Sequence, residues 1–330
     1  MTVVQPAAPP AYERALGLPY HLILTAGRPG WWRYVVGLLL ALAGLVIVGP
    51  LLMLVPFALY YLATGADLAD SMAALVDTTD VTPASLAYLN LSLAAAIPIT
   101  WFVVKVVHGL RPGWLASIRP RIRWHYLFAC LGVSVVALVA TLFVSALLPA
   151  QGEGTELSGQ LNSFTDTTRD FLIVVAVLTP LQAAGEEYAF RGYLTQAFGG
   201  LFRSRWVAVV ASSLLFGLAH GLGQSAPIFF DRFAFGLVAG TLVVLTGGLE
   251  AGIAMHVLNN WLAFGLALAF TDMSSALNPT GGSWWTLPVT LTQSLVYLGL
   301  ALLVARRMGL TNRTDPRVLP AVLVAPRGRL

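Results

Sequence analysis

The chain has 330 residues, of which 57% are hydrophobic and only 10% are charged. Soluble domains carry about 25% charged residues, so this composition and the mean hydropathy of +0.77 exclude a soluble enzyme. We therefore predict a polytopic membrane protein. The net charge of +4 is too small to indicate a nucleic-acid partner, and because Cys130 is the single cysteine, no disulfide can form within the chain.

Apolar runs predict an all-α bundle of about eight transmembrane helices with room for a cavity between them. The predicted spans cover residues 34–62, 84–108, 125–149, 170–198, 206–220, 229–247, 250–270 and 286–305. The fifth span is short. Since the connecting loops are too short to form a soluble catalytic domain, we expect any chemistry to occur inside the bundle.

The charged loops predict the orientation of the bundle. The loop after the first span is acidic and the loop after the second is basic, and this alternation continues wherever loops carry charge. Basic loops remain in the cytoplasm, so we expect both termini to be cytoplasmic. Because Lys105 is the only lysine beside many arginines, which is typical of a GC-rich bacterial genome, we expect the bacterial inner membrane.

The stretch PLQAAGEEYAFRG, from Pro180 to Gly192, places three charges inside an apolar run. An ionised side chain in the hydrocarbon costs at least about 2.5 kcal/mol, so such charges usually face a partner or a wet cavity. Glu187 and Arg191 have the i, i+4 spacing of a helical ion pair. Glu186 has no cation at that spacing and is a candidate general base. Alternatively, the three charges only hold helices together. We expect Pro180 to bend the helix just before them.

Two histidines lie within later spans. His220 ends the fifth span, with Phe216 one turn earlier as a predicted wall of a site. His256 lies in the seventh span, with Asn260 one turn later, where its amide could hold the imidazole or donate to an oxyanion. Asn259 lies about 100° around that helix and is expected to point elsewhere. We expect both histidines to meet Glu186 in the cytoplasmic half of the membrane.

This set of side chains suits the hydrolysis of a peptide bond. A carboxylate with a histidine can deprotonate water, and a second histidine with an asparagine can stabilise the oxyanion. Glu186, His220 and His256 could instead bind a divalent metal such as zinc. No H-E-x-x-H helix is present, but the residues themselves leave the metal open. Of the two possibilities we favour water activated by glutamate without an obligatory metal. A G-x-S-x-G serine nucleophile is also absent from the sequence.

The residues resemble the motifs of a known family, the type II CAAX prenyl endopeptidases and their bacterial relatives, the CPBP intramembrane proteases, also called ABI. Their motifs E-E-x-x-x-R, F-x-x-x-H and H-x-x-x-N read here as EEYAFR, FGLAH and HVLNN, in that order. The resemblance implies that Glu186 and His220 activate the water and that His256 and Asn260 stabilise the oxyanion. It also implies that Glu187 and Arg191 support the site.

We expect an endopeptidase that opens to the cytoplasm and cleaves a membrane-associated or lipidated protein or peptide. Its other partners would be membrane lipids. A non-catalytic scaffold or bacteriocin-immunity protein that binds peptide is an alternative, and a proton-coupled transporter using Glu186 and His220 is another. The expected regions are a cytoplasmic segment 1–33, the first three spans 34–165, a CPBP-like catalytic core 166–270, the last span 271–305 and a basic cytoplasmic tail 306–330.

Overall fold

The computed structural model describes residues 17–148, 160–221, 223–278 and 282–316. Over these ranges the chain forms helices and no β-strand. Seven helices are long and apolar enough to cross a membrane, and the helix predicted to be short, Arg205–Ala219, is apolar but shorter. The prediction of an all-α polytopic membrane protein is confirmed. The expectations for residues 1–16 and 317–330 lie outside the described residues.

The eight apolar helices are numbered in chain order. They are α1 (Trp32–Thr64), α2 (Pro83–His108), α3 (Trp124–Leu147), α4 (Asp166–Phe202), α5 (Arg205–Ala219), α6 (Ala226–Thr246), α7 (Glu250–Phe270) and α8 (Thr286–Arg307). Short helices precede and join them at Tyr20–Ala26, Leu68–Val76, Pro112–Leu115 and Met273–Leu277.

Local sequence explains where several helices begin. Thr82 and Thr165 each form a reciprocal capping box, with Ser85 and Thr168 respectively, and Pro83 occupies the first turn of α2. Ser204 accepts a hydrogen bond from Val207 N at the start of α5. These side chains satisfy backbone N–H groups that have no partner within the helix, so each helix starts at a defined residue.

Helix α4 is not a single regular helix. An α-helical segment ends at Val177, and a second runs over Thr179–Glu186 with Pro180 in its first turn. The interruption therefore lies just ahead of Pro180, where the bend was predicted. A π-helical segment then covers Glu187–Leu194, and α-helix resumes to Phe202. The sequence analysis did not predict the π-helix, a local form that often accompanies functional sites.

Close packing sets the positions of the helices around α4. Helices α2 and α7 flank its middle, α5 packs on α6, and α8 packs on α3 and α6. A Cβ atom added to Gly236 of α6 would lie 3.0 Å from Ser213 of α5, and one added to Gly240 would lie 3.0 Å from Val209. This Gly-x-x-x-Gly pair lets α5 and α6 approach closely, as in other membrane bundles.

The start of α3 is joined to the start of α7 by a buried ion pair. Arg123 Nη2 lies 2.6 Å from Glu250 Oε2, and Arg123 Nε donates to Glu250 Oε1 at 2.9 Å. The remaining guanidinium nitrogen donates to the carbonyl of Thr246 at 2.9 Å. Glu250 also accepts a hydrogen bond from the backbone N–H of Arg123. These contacts fix the two helix ends against each other.

Candidate active site

The predicted pairing of Glu187 with Arg191 is present. Arg191 Nη1 lies 3.1 Å from Glu187 Oε1, and both side chains are almost completely buried. The approach is close enough for an ion pair, but its angle does not make a hydrogen bond. The guanidinium carbon also lies 3.9 Å from the centre of the Phe216 ring. Phe216 of α5 therefore forms a cation–π contact with Arg191 of α4.

Glu186 has neutral and histidine neighbours but no ion pair with an arginine or lysine among the described residues. Gln182, one turn earlier, donates from Nε2 to Glu186 Oε1 at 2.8 Å. Glu186 Oε2 is buried and has no hydrogen-bond partner among the described residues. The nearest charged or titratable contact of Oε2 is His256 Nε2, at 3.5 Å.

His256 lies between the two glutamates. Its Nδ1 is 3.0 Å from Glu187 Oε1, while its Nε2 faces Glu186. Glu187, not Asn260, therefore holds the imidazole. Asn260 Nδ2 instead donates to Gln182 Oε1 at 2.9 Å, and so contacts Glu186 only through Gln182. The sequence spacing placed Asn260 near His256 correctly but did not predict this glutamine between the asparagine and the glutamate.

A cavity of about 290 Å³ brings the predicted residues together. Its lining includes Glu186 from α4, Phe216 and His220 from the end of α5, and His256 and Asn260 from α7. His220 Nδ1 lies 2.8 Å from the carbonyl oxygen of Phe216. Since a carbonyl oxygen only accepts, Nδ1 carries the hydrogen, and Nε2 of a neutral His220 has a free lone pair. The catalytic roles of these residues remain predictions.

Asn259 does not point away from the site, and this prediction is wrong. It lines the same cavity as Asn260 and accepts a hydrogen bond from Gln293 Nε2 of α8 at 3.3 Å. Two adjacent residues of one helix can both reach the cavity because its wall extends from α4 across α7 to α8.

Other polar residues of the cavity were not predicted. Gln182 is one turn before Glu186, a position that the spacing rule used for Glu187 and Arg191 would have found. Asp231 and Arg232 lie in α6 and line the cavity, and Asp231 Oδ1 and Arg232 Nε have no hydrogen-bond partner among the described residues. Because Asp231 and Arg232 are charged residues inside an apolar run, the sequence could have identified them as candidate site residues. Asn90 of α2 also lines the cavity, and it donates to Thr179 at 3.2 Å.

One end of the bundle carries the acidic loop between α1 and α2, and the other end, the basic end, carries the arginine-rich loop between α2 and α3. The cavity extends toward the acidic end, whereas we expected it to open at the basic end. Its lining includes Leu86 near the start of α2, Phe264 near the end of α7 and Thr290 near the start of α8. Ala276 and Leu277 of the short helix Met273–Leu277 also line it.

The short helix Met273–Leu277 is held in place by hydrogen bonds to neighbouring segments. Ser274 Oγ accepts from Val81 N at 2.9 Å, and Asn278 Nδ2 donates to Thr78 O at 2.5 Å. Asp272 caps this helix, and the hydrogen bonds from the side chain and backbone of Ser275 lower the pKa of Asp272. The helix therefore forms a defined boundary of the cavity.

The described residues place no three His, Cys, Asp or Glu side chains in a group that could hold a metal ion. Glu186, His220 and His256 are the metal ligands suggested by the sequence. Both ring nitrogens of His256 face carboxylate oxygens, Nε2 that of Glu186 and Nδ1 that of Glu187. A carboxylate at Nδ1 is compatible with a histidine that binds a metal through Nε2, so the metal alternative stays a prediction.

Comparison with known proteins shows a similarity that covers the core of this site. Residues 168–262 match the family model described as "Type II CAAX prenyl endopeptidase Rce1-like". The chain is also similar to "Uncharacterized protein YyaK" of Bacillus subtilis (strain 168), with 24% identity over 63% of this chain and 71% of that protein. No solved structure matches the chain. The matched region contains Glu186, His220, His256 and Asn260. The apolar helices make the chain an integral membrane protein, and its residues 168–262 are similar to type II CAAX prenyl endopeptidases of the Rce1-like kind.

Proposed function

We propose that the protein is an intramembrane endopeptidase that hydrolyses a peptide bond with a water molecule activated by Glu186. The observation that carries this proposal is the buried Glu186 Oε2, which has no hydrogen-bond partner among the described residues and faces a cavity shared with two histidines. A purely structural carboxylate normally has its oxygens satisfied. The Rce1-like family match supports a CAAX-protease-like endopeptidase in general.

In the proposed reaction, Glu186 takes a proton from water as the water oxygen attacks the carbonyl carbon of the peptide. The C–O bond forms, and the electron pair of the carbonyl moves to its oxygen to give an oxyanion. When the C–N bond breaks, the proton passes from Glu186 to the leaving amine. His220, whose neutral Nε2 has a free lone pair, would accept a hydrogen bond from the same water.

His256 can stabilise the oxyanion only in one protonation state. A neutral ring that donates Nδ1–H to Glu187 has only a lone pair at Nε2, so donation from Nε2 requires the imidazolium. Asn260 would add the second donor through the amide hydrogen that Gln182 does not accept.

A membrane-associated or lipidated protein or peptide is the proposed substrate. The first test uses a quenched fluorogenic peptide with a farnesylated cysteine three residues before its C-terminus, together with an unprenylated copy. The purified protein in liposomes should cleave the farnesylated peptide, and Glu186→Gln should abolish cleavage while thermal stability is kept. Cleavage by Glu186→Gln at the normal rate would contradict the proposal. If the unaltered protein cleaves neither peptide, the peptide-binding scaffold becomes the better explanation.

The same assay tests the metal alternative. Activity that disappears with a chelator and returns with zinc would show that a metal is required, and His256→Ala would then be as damaging as His220→Ala because both would be ligands. We expect activity to survive chelation.

We further propose that both termini face the cytoplasm of a bacterial cell. Single cysteines near Asp77 and near Arg119, introduced into a Cys130→Ala background, should react with an impermeant reagent from outside and from inside respectively. The reverse labelling pattern would show that the bundle has the opposite orientation and that the proposed placement of the termini is wrong.

A further inference from the structure

A second cavity lies at the basic end of the bundle, away from the candidate active site. It has a volume of about 560 Å³ and lies where α3 begins and α8 ends. Arginine side chains form one part of its wall and apolar side chains another. The lining includes Arg119, Arg121, Arg123, Trp124, Tyr126 and Met308. None of these residues lines the cavity that contains Glu186.

Only one of the three arginines is neutralised. Arg123 forms the buried pair with Glu250, whereas Arg119 and Arg121 are exposed and form no ion pair within the described part of the chain. An adjoining cavity of about 1090 Å³ shares these two arginines. Two guanidinium groups that line one cavity, with no ion pair in the described part of the chain, create a local positive potential that an anion would relieve.

The apolar wall indicates which anion fits. Trp124 is 60% exposed, and its ring stacks on Phe128, which is 64% exposed, with ring centres 6.2 Å apart. Both lie on the first turns of α3, and exposed tryptophans of membrane proteins lie at headgroup level. This position predicts that the arginines lie at the height of lipid phosphates, with an aromatic surface leading from them into the hydrocarbon. A ligand that contacts both the arginines and the aromatic surface needs an anionic phosphate and acyl chains.

We propose that this cavity binds an anionic phospholipid, with its phosphate between Arg119 and Arg121 and an acyl chain along Trp124 and Phe128. Guanidinium groups suit phosphate because they offer several donors in a fixed plane. Basic pockets between helix ends are the usual sites for such headgroups. Arg123 has a different role, since its charge is already matched by Glu250 and it holds the cavity wall in place.

The proposed lipid would also stabilise the bundle. The cavity wall includes Arg123, which joins the start of α3 to Glu250 at the start of α7, the helix that carries His256. Because a ligand that binds only the folded state raises its stability, anionic lipid should raise the melting temperature of the protein.

The test measures binding of phosphatidylglycerol to the purified full-length protein in mixed micelles with phosphatidylcholine. Intrinsic tryptophan fluorescence gives the melting temperature, and native mass spectrometry counts the retained lipids. The double variant Arg119→Gln/Arg121→Gln should bind phosphatidylglycerol about 25-fold more weakly, roughly fivefold for each arginine at a membrane surface. The control Lys105→Gln/Arg111→Gln removes the same charge from exposed positions that line neither basic cavity, and should change binding less than about twofold.

An equal loss of binding in both double variants, or none in Arg119→Gln/Arg121→Gln, would overturn the proposal. Glycerol phosphate and inorganic phosphate, at the same concentration, should not raise the melting temperature. If they raise it as much as the lipid does, the site binds soluble phosphate and the acyl-chain contact is wrong. Should the double variant fail to fold, Arg121→Gln alone replaces it, with an expected loss of about fivefold.

Discussion

The protein contains two buried arginine–glutamate pairs that differ in how well their atoms are satisfied. In the pair of Arg123 with Glu250, both carboxylate oxygens and the guanidinium nitrogens that face the protein have close hydrogen-bond partners. In the pair of Arg191 with Glu187, both terminal nitrogens of the arginine and Oε2 of the glutamate lack hydrogen-bond partners among the described residues. Glu186 Oε2, on the preceding residue, also lacks a hydrogen-bond partner among the described residues.

This difference separates a structural anchor from a candidate reaction site. Burying charge is expensive, and a pair that only anchors helices recovers the cost through complete hydrogen bonding. Buried polar atoms without partners are uncommon and indicate water, a ligand or a catalytic role. The pair at the basic end therefore fixes the fold, while the cluster around Glu187 has unused capacity for a bound molecule.

The largest effect should come from removing the proposed base and its partner. Glu186→Gln and His220→Ala should each lower the turnover of the farnesylated peptide by about 10⁴-fold, the upper end of the range for acid–base groups. Because the two act on one water molecule, the double variant should be little slower than either single variant. Melting temperatures should stay close to normal. Losses that multiply would show that the two residues act independently.

Breaking the two ion pairs should have different consequences. Removing one partner of a buried pair typically costs about 3–5 kcal/mol, so Glu250→Gln and Glu187→Gln should both lower the melting temperature and the yield. The folded fraction of Glu250→Gln should cleave peptide normally. That of Glu187→Gln should be impaired, because His256 loses the carboxylate that holds it. The control Asp166→Asn breaks an exposed pair on α4 and should cost at most about 1 kcal/mol. A stable but inactive Glu187→Gln protein would show that the roles of the two glutamates are exchanged.

Asn260 and its neighbour Asn259 provide a matched pair within the cavity. Asn260→Ala should lower the rate by about 10²–10³-fold, as expected for the loss of one oxyanion donor. Asn259→Ala removes the same group from the adjacent position, where the amide oxygen is already used by Gln293, and should have little effect on the rate. Equal losses in the two variants would argue that Asn260 acts through packing alone.

The sequence predicted much of this architecture because a helix that crosses the membrane needs about 20 mainly apolar residues, a pattern that is easily recognised. All eight apolar runs are helices, with boundaries within a few residues of those expected. The charges of EEYAFR and the two intramembrane histidines stood out because polar groups are costly at that depth. Helical spacing then predicted the contact between Glu187 and Arg191.

Contacts between different helices could not be predicted in the same way. The π-helical segment over Glu187–Leu194 changes which side chains face α7, and no residue pattern in the sequence marked it. The bridge of His256 between two glutamates depends on the rotation of α4 against α7. Asn259 was misplaced because the spacing rule treats a site as one narrow helix face, whereas this cavity curves around α7.

Gly252 shows how such a contact is made, and its replacement should give the smallest of the four predicted effects. A Cβ atom at this position of α7 would lie 2.5 Å from Glu187 Oε2, so the glycine leaves the space in which Glu187 reaches His256. Gly252→Ala should therefore displace Glu187, cost about 1–3 kcal/mol as an overpacked core position does, and lower the rate with little change in KM. Gly265→Ala on the same helix is the control, since a Cβ there meets nothing within 4 Å. That variant should gain up to about 1 kcal/mol from better helix propensity. If Gly252→Ala were as stable and active as Gly265→Ala, Glu187 would not need its present position, and the proposed link from Glu187 through His256 to the reaction would be wrong.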